Sequence, residues 1–290
     1  MDRKELRSFP ETLHEKNGFW TVYQAKTVLY ELQTEHQHLA IIAHPFFGKM
    51  LILDGIVQIT MRDEFIYSEM MAHVPLFAHG EAENVLIIGG GDCSVACEVL
   101  KHAAVKRVTL VEIDTSVITL SQKYFPEFTG SVFADKRFES IIQDGMEYVA
   151  RAKRRFDVII VDSTDPQGPG KVLFSKKFYA ACKRCLTERG ILVTQNGVPF
   201  LQQDELVSSM RHFRKLFPHS GCYLTARPTY VGGHLAIGWA SNLDIATIAS
   251  DNIADRYAAE GSFPTKYWTT QLHDAAFALP RFIQRIVERA

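Results

Sequence analysis

The sequence of 290 residues lacks an excess of either charge: 32 Lys and Arg stand against 33 Asp and Glu, a formal net of −1. A nucleic-acid partner would call for a basic excess, so no such partner is expected. No stretch approaches the roughly 18 uninterrupted apolar residues of a membrane span, and none is expected. The opening MDRKELRSFPETLHEKNGFW has no apolar core of the kind a secretory signal needs, which leaves a cytoplasmic location as the expectation. Cysteine is scarce and odd in number, five in all, which argues against a disulfide scaffold. Cys182 and Cys185 form a CxxC, but no second pair has metal-like spacing. They fall in FYAACKRCLTERGIL, which reads as an amphipathic helix ending at Gly190, so buried reduced thiols and no metal are expected. Internal repeats and low-complexity segments are absent.

Apolar residues make up 47 % of the chain, enough for a sizeable core. Residues 19 to 60 are rich in β-formers: TVLYELQ, HLAIIAH and KMLILDGIVQIT read as strands, with turns at Pro45–Gly48 and Asp54-Gly55. A small antiparallel β-domain over 1–64 is expected. From about residue 65 the texture changes. FIYSEMMAHVPLFAH has helical spacing, and then short apolar strands alternate with helical stretches: VLIIGG, RVTLVEID, FESIIQD, FDVIIVD and GILVTQNG each precede one. GCYLTARPTYVG and LAIGWAS close the series as a possible antiparallel pair. This alternation implies an α/β fold over 65–290, a Rossmann-like, methyltransferase-like doubly wound sheet, mostly parallel, with right-handed crossovers.

In such sheets ligands bind beyond the carboxyl ends of the strands. The residues there are Gly89–Asp92, Glu112–Asp114, Asp144-Gly145, Asp162–Asp165 and Gln195–Gly197. VLIIGGGD joins a buried strand to a helix through three glycines, so a ligand can approach the backbone closely. Glu112 ends the next strand, 21 residues after Gly91, about where a dinucleotide fold keeps the acid that binds ribose. A dinucleotide fingerprint wants a further glycine where Ser94 stands, and Asp92 would repel a pyrophosphate. A sulfonium carries positive charge and no phosphate. Asp144 could accept from an adenine amino group. The chemistry therefore favours S-adenosylmethionine or its decarboxylated form over a nicotinamide dinucleotide.

Asp162-Ser163-Thr164-Asp165-Pro166 follows the strand FDVIIV. Two carboxylates three apart could meet one ligand, or could simply cap a turn. An alkylamine resembles lysine, with a pKa near 10, and arrives protonated. A carboxylate within reach can hold it and take its proton as nitrogen attacks. Asp162 is the candidate base and Asp165 the orienting acid. Gln167–Gly170 reads as a loop over the site. Tyr67 and Tyr230 could shape a slot for an alkyl chain or could be core tyrosines.

LDGIVQ at 53–58, RDEFIY at 62–67, VLIIGGGD at 85–92, VEID at 111–114, DSTDPQGP at 162–169, FSKKFY at 174–179 and RPTYVGG at 227–233 together resemble the polyamine aminopropyltransferase (spermidine synthase) family. The resemblance implies transfer of an aminopropyl group from decarboxylated S-adenosylmethionine to putrescine, giving spermidine and methylthioadenosine. It implies that Asp162 is the proton acceptor and that Asp92 holds the donor's amine. Gln37, Gly89, Gly91, Glu112, Asp144, Gly145 and Pro169 would bind the nucleoside, and Tyr67, Ser68, Asp165 and Tyr230 the diamine. It also implies a homodimer or homotetramer and no metal. The chain departs from the family pattern at Met61, Ser68, Cys93, Ser94 and Cys97. Cys93 is expected to put a side chain beside the donor's reactive tail, and Ser68 to fall short of a ligand that His or Gln would touch. An alternative is therefore a paralogue that uses intact S-adenosylmethionine for methyl transfer or cyclisation, or that acts on another amine. A degenerate, non-catalytic homologue is the third reading.

Overall fold

The structure is a computed structural model that describes residues 6–166 and 168–290. Its N-terminal part holds two small antiparallel sheets. Strands β1 (Arg7–Glu11) and β2 (Thr21–Ala25) form a hairpin, which the sequence reading had not foreseen. β3 (Thr27–Gln33), β4 (His38–His44), β5 (Gly48–Leu53) and β6 (Ile56–Thr60) form a four-stranded meander. Both faces of the meander are covered. Ala40, Ile42, Met50, Ile52 and Val57 pack under Phe9 and Tyr23 of the hairpin. Leu39, Ile41, Leu51 and Ile59 face Val117, Leu120, Phe125 and Phe128 of the main domain. This explains why HLAIIAH is continuously apolar where a half-exposed strand would alternate.

α1 (Glu64–His79) follows at once, buried on all sides except at Phe65. It packs against the seven-stranded sheet, whose order is β12-β13-β11-β10-β7-β8-β9. β7 (Asn84–Gly89), β8 (Arg107–Glu112), β9 (Phe138–Ile142), β10 (Phe156–Asp162) and β11 (Leu186–Gln195) run parallel. β12 (His219–Ala226) and β13 (His234–Ser241) close the sheet as an antiparallel pair. The crossover helices are α2 (Ser94–Val99), α3 (Thr115–Tyr124) with the short α4 (Pro126–Thr129), α5 (Gly145–Arg151), α6 (Lys176–Cys185) and α7 (Gln203–Leu216). Three further helices, α8 (Ser250–Ala259), α9 (Thr270–Ala276) and α10 (Arg281–Glu288), lie in a C-terminal stretch that the sequence reading left unassigned. No described helix is long and apolar enough to cross a membrane.

The chain runs β7–β8–β9 outward in one direction and then returns to lay β10 on the other side of β7. The switch in order falls between β7 and β10, the position where a crevice opens above an α/β sheet.

One element ends earlier than its sequence suggests. The helix expected to reach Gly190 stops at Cys185, and Leu186 already belongs to β11, opposite Phe156 of β10. The Arg155 guanidinium donates to the carbonyls of Arg184 and Leu186, which satisfies the helix end. Burial of Leu186 and sheet pairing outweigh the helical spacing of Thr187–Arg189. Cys182 and Cys185 are both buried free thiols on α6, and burial pushes both up from the ordinary thiol range.

Candidate active site

A cleft of about 1100 Å³, counted to its open mouth, lies over the β7/β10 switch point. Its wall carries most of the residues singled out above: Gln37, Tyr67, Gly89, Gly91, Asp92, Glu112, Asp144, Gly145, Asp162 and Tyr230.

The parallel register places Asp162 directly opposite Gly89, so this acid and the glycine turn share one strand end. The turn is built around the acids. Gly89 and Gly90 have φ of 79° and 65°, the left-handed region that favours glycine. A Cβ on Gly90 would stand 2.7 Å from Asp162 Oδ2, and one on Gly91 would stand 2.9 Å from Glu112 Oε2. Each glycine leaves room for a carboxylate. Asp92 caps the turn: its Oδ1 accepts from the Ser94 amide at 2.8 Å, which leaves Oδ2 for a ligand.

Glu112 is buried at 8 % exposure, and its oxygens accept from the Gly91 and Asp114 amides at 3.2 and 2.9 Å. Burial nevertheless raises its carboxyl to about 7. Asp144 caps α5 by accepting from the Glu147 amide at 2.9 Å and lines the cleft together with Gly145. Gln37 reaches in from the loop after β3 and donates to Asp114 Oδ2 at 3.1 Å, joining the β-meander to the end of β8 in the main sheet.

Asp162 accepts from the Tyr67 hydroxyl at 2.7 Å. Burial, then the charge of Asp92, raise its carboxyl to about 7, while the Tyr67 hydrogen bond and Arg227 pull the other way. A carboxylate with this proton affinity suits a base working near neutrality.

Three positions differ from expectation. Ser68 is fully buried and does not line the cleft; its hydroxyl turns back to Glu64 Oε1 at 2.7 Å. Asp165 is also off the wall. It accepts from Gln195 Nε2 at 3.1 Å, and it is Gln195 that meets the cavity. Cys93 does not line the cleft. Its φ of 64° turns the side chain down into the core beside Val95, at 0 % exposure, and Ser94 faces the cleft instead. Gln167 lies outside the described residues, as does the side chain of Pro169; the segment's 3-10 turn, Gly168–Phe174, contributes Gly170, Val172 and Leu173 to the wall.

Several wall residues have no role in the sequence analysis, Glu64 and Arg227 among them. Glu64 opens α1, and Arg227 follows β12. The Arg227 guanidinium is buried between Tyr67 and Tyr230, 4.7 and 4.3 Å from their ring centres, and donates to the Gln58 carbonyl. It fixes both tyrosines. Glu64 and Arg227 fall inside RDEFIY and RPTYVGG, but neither follows a parallel strand or belongs to the glycine turn after β7, so the strand-end reasoning does not single them out. Among the described residues no cluster of three or more His, Cys, Asp or Glu side chains is placed to hold a metal.

Comparison with known proteins decides the lineage. A family model described as the spermine/spermidine synthase domain matches residues 64–251, and one described as the spermidine synthase tetramerisation domain matches 9–61. The chain belongs to the spermine/spermidine synthase family. It is an enzyme of the transferase class, as its relatives are. A polyamine aminopropyltransferase of Ruegeria sp. (strain TM1040) is 48 % identical over 277 residues, covering 95 % of this chain and 96 % of the relative. A polyamine aminopropyltransferase of Pseudomonas syringae pv. tomato is 43 % identical, covering 98 % and 99 %. Among solved structures, a spermidine synthase in complex with the transition-state analogue AdoDATO superposes with a TM-score of 0.92 at 35 % identity, over 100 % of this chain and 97 % of that one. The spermidine synthase from Thermotoga maritima gives 0.89 at 34 %, over 100 % and 96 %. The methyltransferase-like fold read from strand alternation is that of the family.

Proposed function

We propose that this enzyme transfers the aminopropyl group of decarboxylated S-adenosylmethionine to putrescine, releasing spermidine, methylthioadenosine and a proton. The observation that carries the reading is Asp162, a carboxylate of raised proton affinity held by Tyr67 beside an acid-lined glycine turn. Amine nitrogen attacks the carbon next to the sulfonium, the carbon–sulfur bond breaks with its electrons going to sulfur, and Asp162 takes the ammonium proton. Asp92 holds the donor, Glu112 the ribose, and Asp144 with Gly145 and Gln37 the base. Tyr67 and Tyr230 line the acceptor's path. Asp165, through Gln195, orients its far end.

The structure of a relative with AdoDATO supports an adenosyl donor, and the tetramerisation-domain match over 9–61 supports a homodimer or homotetramer assembled through an N-terminal unit of residues 1–64. Sedimentation of the purified protein tests the latter. The second reading, intact S-adenosylmethionine as donor, would need a basic group for its carboxylate, and Arg227 on the cleft wall is already engaged by Tyr67, Tyr230 and the Gln58 carbonyl.

Mass spectrometry of products, with each donor offered against a panel of amines, separates the two. Methylthioadenosine and spermidine from the decarboxylated donor and putrescine are expected. No product with any diamine rejects the proposal. Asp162→Asn is expected to lower turnover by about 10²–10⁴-fold while methylthioadenosine still binds.

A further inference from the structure

Resting on the aminopropyl-transfer reading, we propose that Glu64 binds the donor's primary ammonium together with Asp92, and so selects a decarboxylated donor over one that keeps its carboxylate. Glu64 is the first residue of α1, only 6 % exposed, and its side chain lines the cleft with Asp92 and Ser94. Its position is fixed. Ser68, one helical turn on, donates to Glu64 Oε1 at 2.7 Å and is itself fully buried. That hydroxyl is the one hydrogen-bond donor its carboxylate has among the described residues, and Oε2 has none.

The charges around Glu64 do not balance. Asp92 and Glu98 both repel it, and Lys266 is the weakest influence of the three. Burial and these neighbours raise its carboxyl to about 7. Glu98 is itself paired with Lys101 and His73, which leaves Asp92 as the unpaired anionic neighbour, and a buried carboxylate with one neutral donor beside such a charge is costly unless a cation completes it. Among the described residues no cation forms an ion pair with Glu64, and the ligand this cleft takes would supply one. A primary ammonium has three N–H donors. Asp92 has spent one oxygen on the Ser94 amide, so its second oxygen and Glu64 Oε2 are the free acceptors at this end of the cleft.

The same arrangement rejects intact S-adenosylmethionine. There the carbon bearing the ammonium also bears a carboxylate, which would meet Asp92 and Glu64, and neither acid has an ion pair with a basic side chain among the described residues. Arg227 does not answer it: the guanidinium is packed between Tyr67 and Tyr230, and the acids that act on it are Asp63 and Asp162.

The test is calorimetry at pH 8 on the full chain, with decarboxylated S-adenosylmethionine, S-adenosylmethionine and methylthioadenosine as probes. Methylthioadenosine has the same nucleoside and no ammonium. Glu64→Gln is expected to weaken the decarboxylated donor about 10-fold, equivalent to about 1.4 kcal/mol, to leave methylthioadenosine unchanged, and to narrow the preference over S-adenosylmethionine. Unchanged binding of the decarboxylated donor overturns the proposal. So does a parallel loss of both ligands, which is what a merely structural role would give. If Glu64→Gln does not fold, Ser68→Ala decides with the same probes: a few-fold loss for the decarboxylated donor alone is expected, and no loss overturns. The two failures are distinguishable. If aminopropyl transfer itself is wrong, the unaltered enzyme shows no preference for the decarboxylated donor. If only Glu64 is misassigned, the unaltered enzyme keeps that preference and Glu64→Gln keeps it too.

Discussion

Replacing Tyr67 by Phe probes how the base is set. The ring is buried at 6 % exposure between the core and Arg227, and Phe preserves that packing and the 4.7 Å contact with the guanidinium. What disappears is the 2.7 Å hydrogen bond to Asp162 Oδ1. That bond favours the charged carboxylate and therefore lowers its pKa; it offsets part of the rise produced by burial and by Asp92. A hydrogen bond to a charged group is worth about 1.5–3 kcal/mol, and one pKa unit is about 1.4 kcal/mol. Asp162, at about 7 in the unaltered enzyme, should therefore move up by about 1–2 units. If Asp162 is the base, as proposed, it works only when ionised, so kcat/KM for methylthioadenosine release should rise with pH through this group. In Tyr67→Phe the rise should be displaced to higher pH, with roughly 10–100-fold lower activity below pH 7 and much of it recovered near pH 9. The assay is a pH profile of kcat/KM from pH 5.5 to 9.5 for both proteins. An unchanged midpoint, a shift to lower pH, or a uniform loss at every pH would refute the reasoning. A uniform loss would mean that Tyr67 holds the acceptor and not the proton affinity of Asp162.

Two further outcomes follow from buried groups near the site. Glu205 Oε2 is buried without a partner, and burial, then the charge of Asp165, raise the carboxyl to about 8. A raised folded-state pKa means that the native protein binds the proton more tightly than the unfolded chain, so stability is lost as pH rises from about 4.5 through 8. Glu205→Gln mimics the protonated form and should add about 1–3 kcal/mol in urea denaturation at pH 9 and almost nothing at pH 5; an equal gain at both pH values would sink this account. Cys93 holds a left-handed conformation that costs a non-glycine residue about 1–2 kcal/mol, at a φ of 64°. Cys93→Gly should accordingly be about 1 kcal/mol more stable than Cys93→Ala despite its smaller volume, a comparison that thermal melts can settle, and the reverse order would show that packing dominates the turn.

The periodic parts of the fold were legible because their signals are local. Alternating apolar strands and helical stretches specify a doubly wound sheet. Such a sheet puts its ligand at the strand ends, so Gly89–Asp92, Glu112, Asp144 and Asp162 could be picked out one strand at a time. The end of α6 was misread for the complementary reason. Thr187–Arg189 has helical spacing, and only the pairing of Leu186 with Phe156, thirty residues away, pulls it into a strand. The β1–β2 hairpin and the C-terminal helices were likewise not read; the hairpin is held by packing on the meander, which no local period encodes.

Within the site, the sequence by itself determined the chemistry: three glycines, four acids and two tyrosines at positions where a parallel sheet opens. Only the tertiary structure decided which of them meet. Strand order sets Asp162 opposite Gly89 across 73 residues of chain. The backbone angle at Cys93 sends its thiol into the core and leaves Ser94 on the wall. Ser68 and Asp165 turn out to stand behind Glu64 and Gln195, the residues that face the cleft. Residue types and spacing follow from the sequence, but the direction of a side chain follows from φ, ψ and what packs against it, and those are properties of the folded whole.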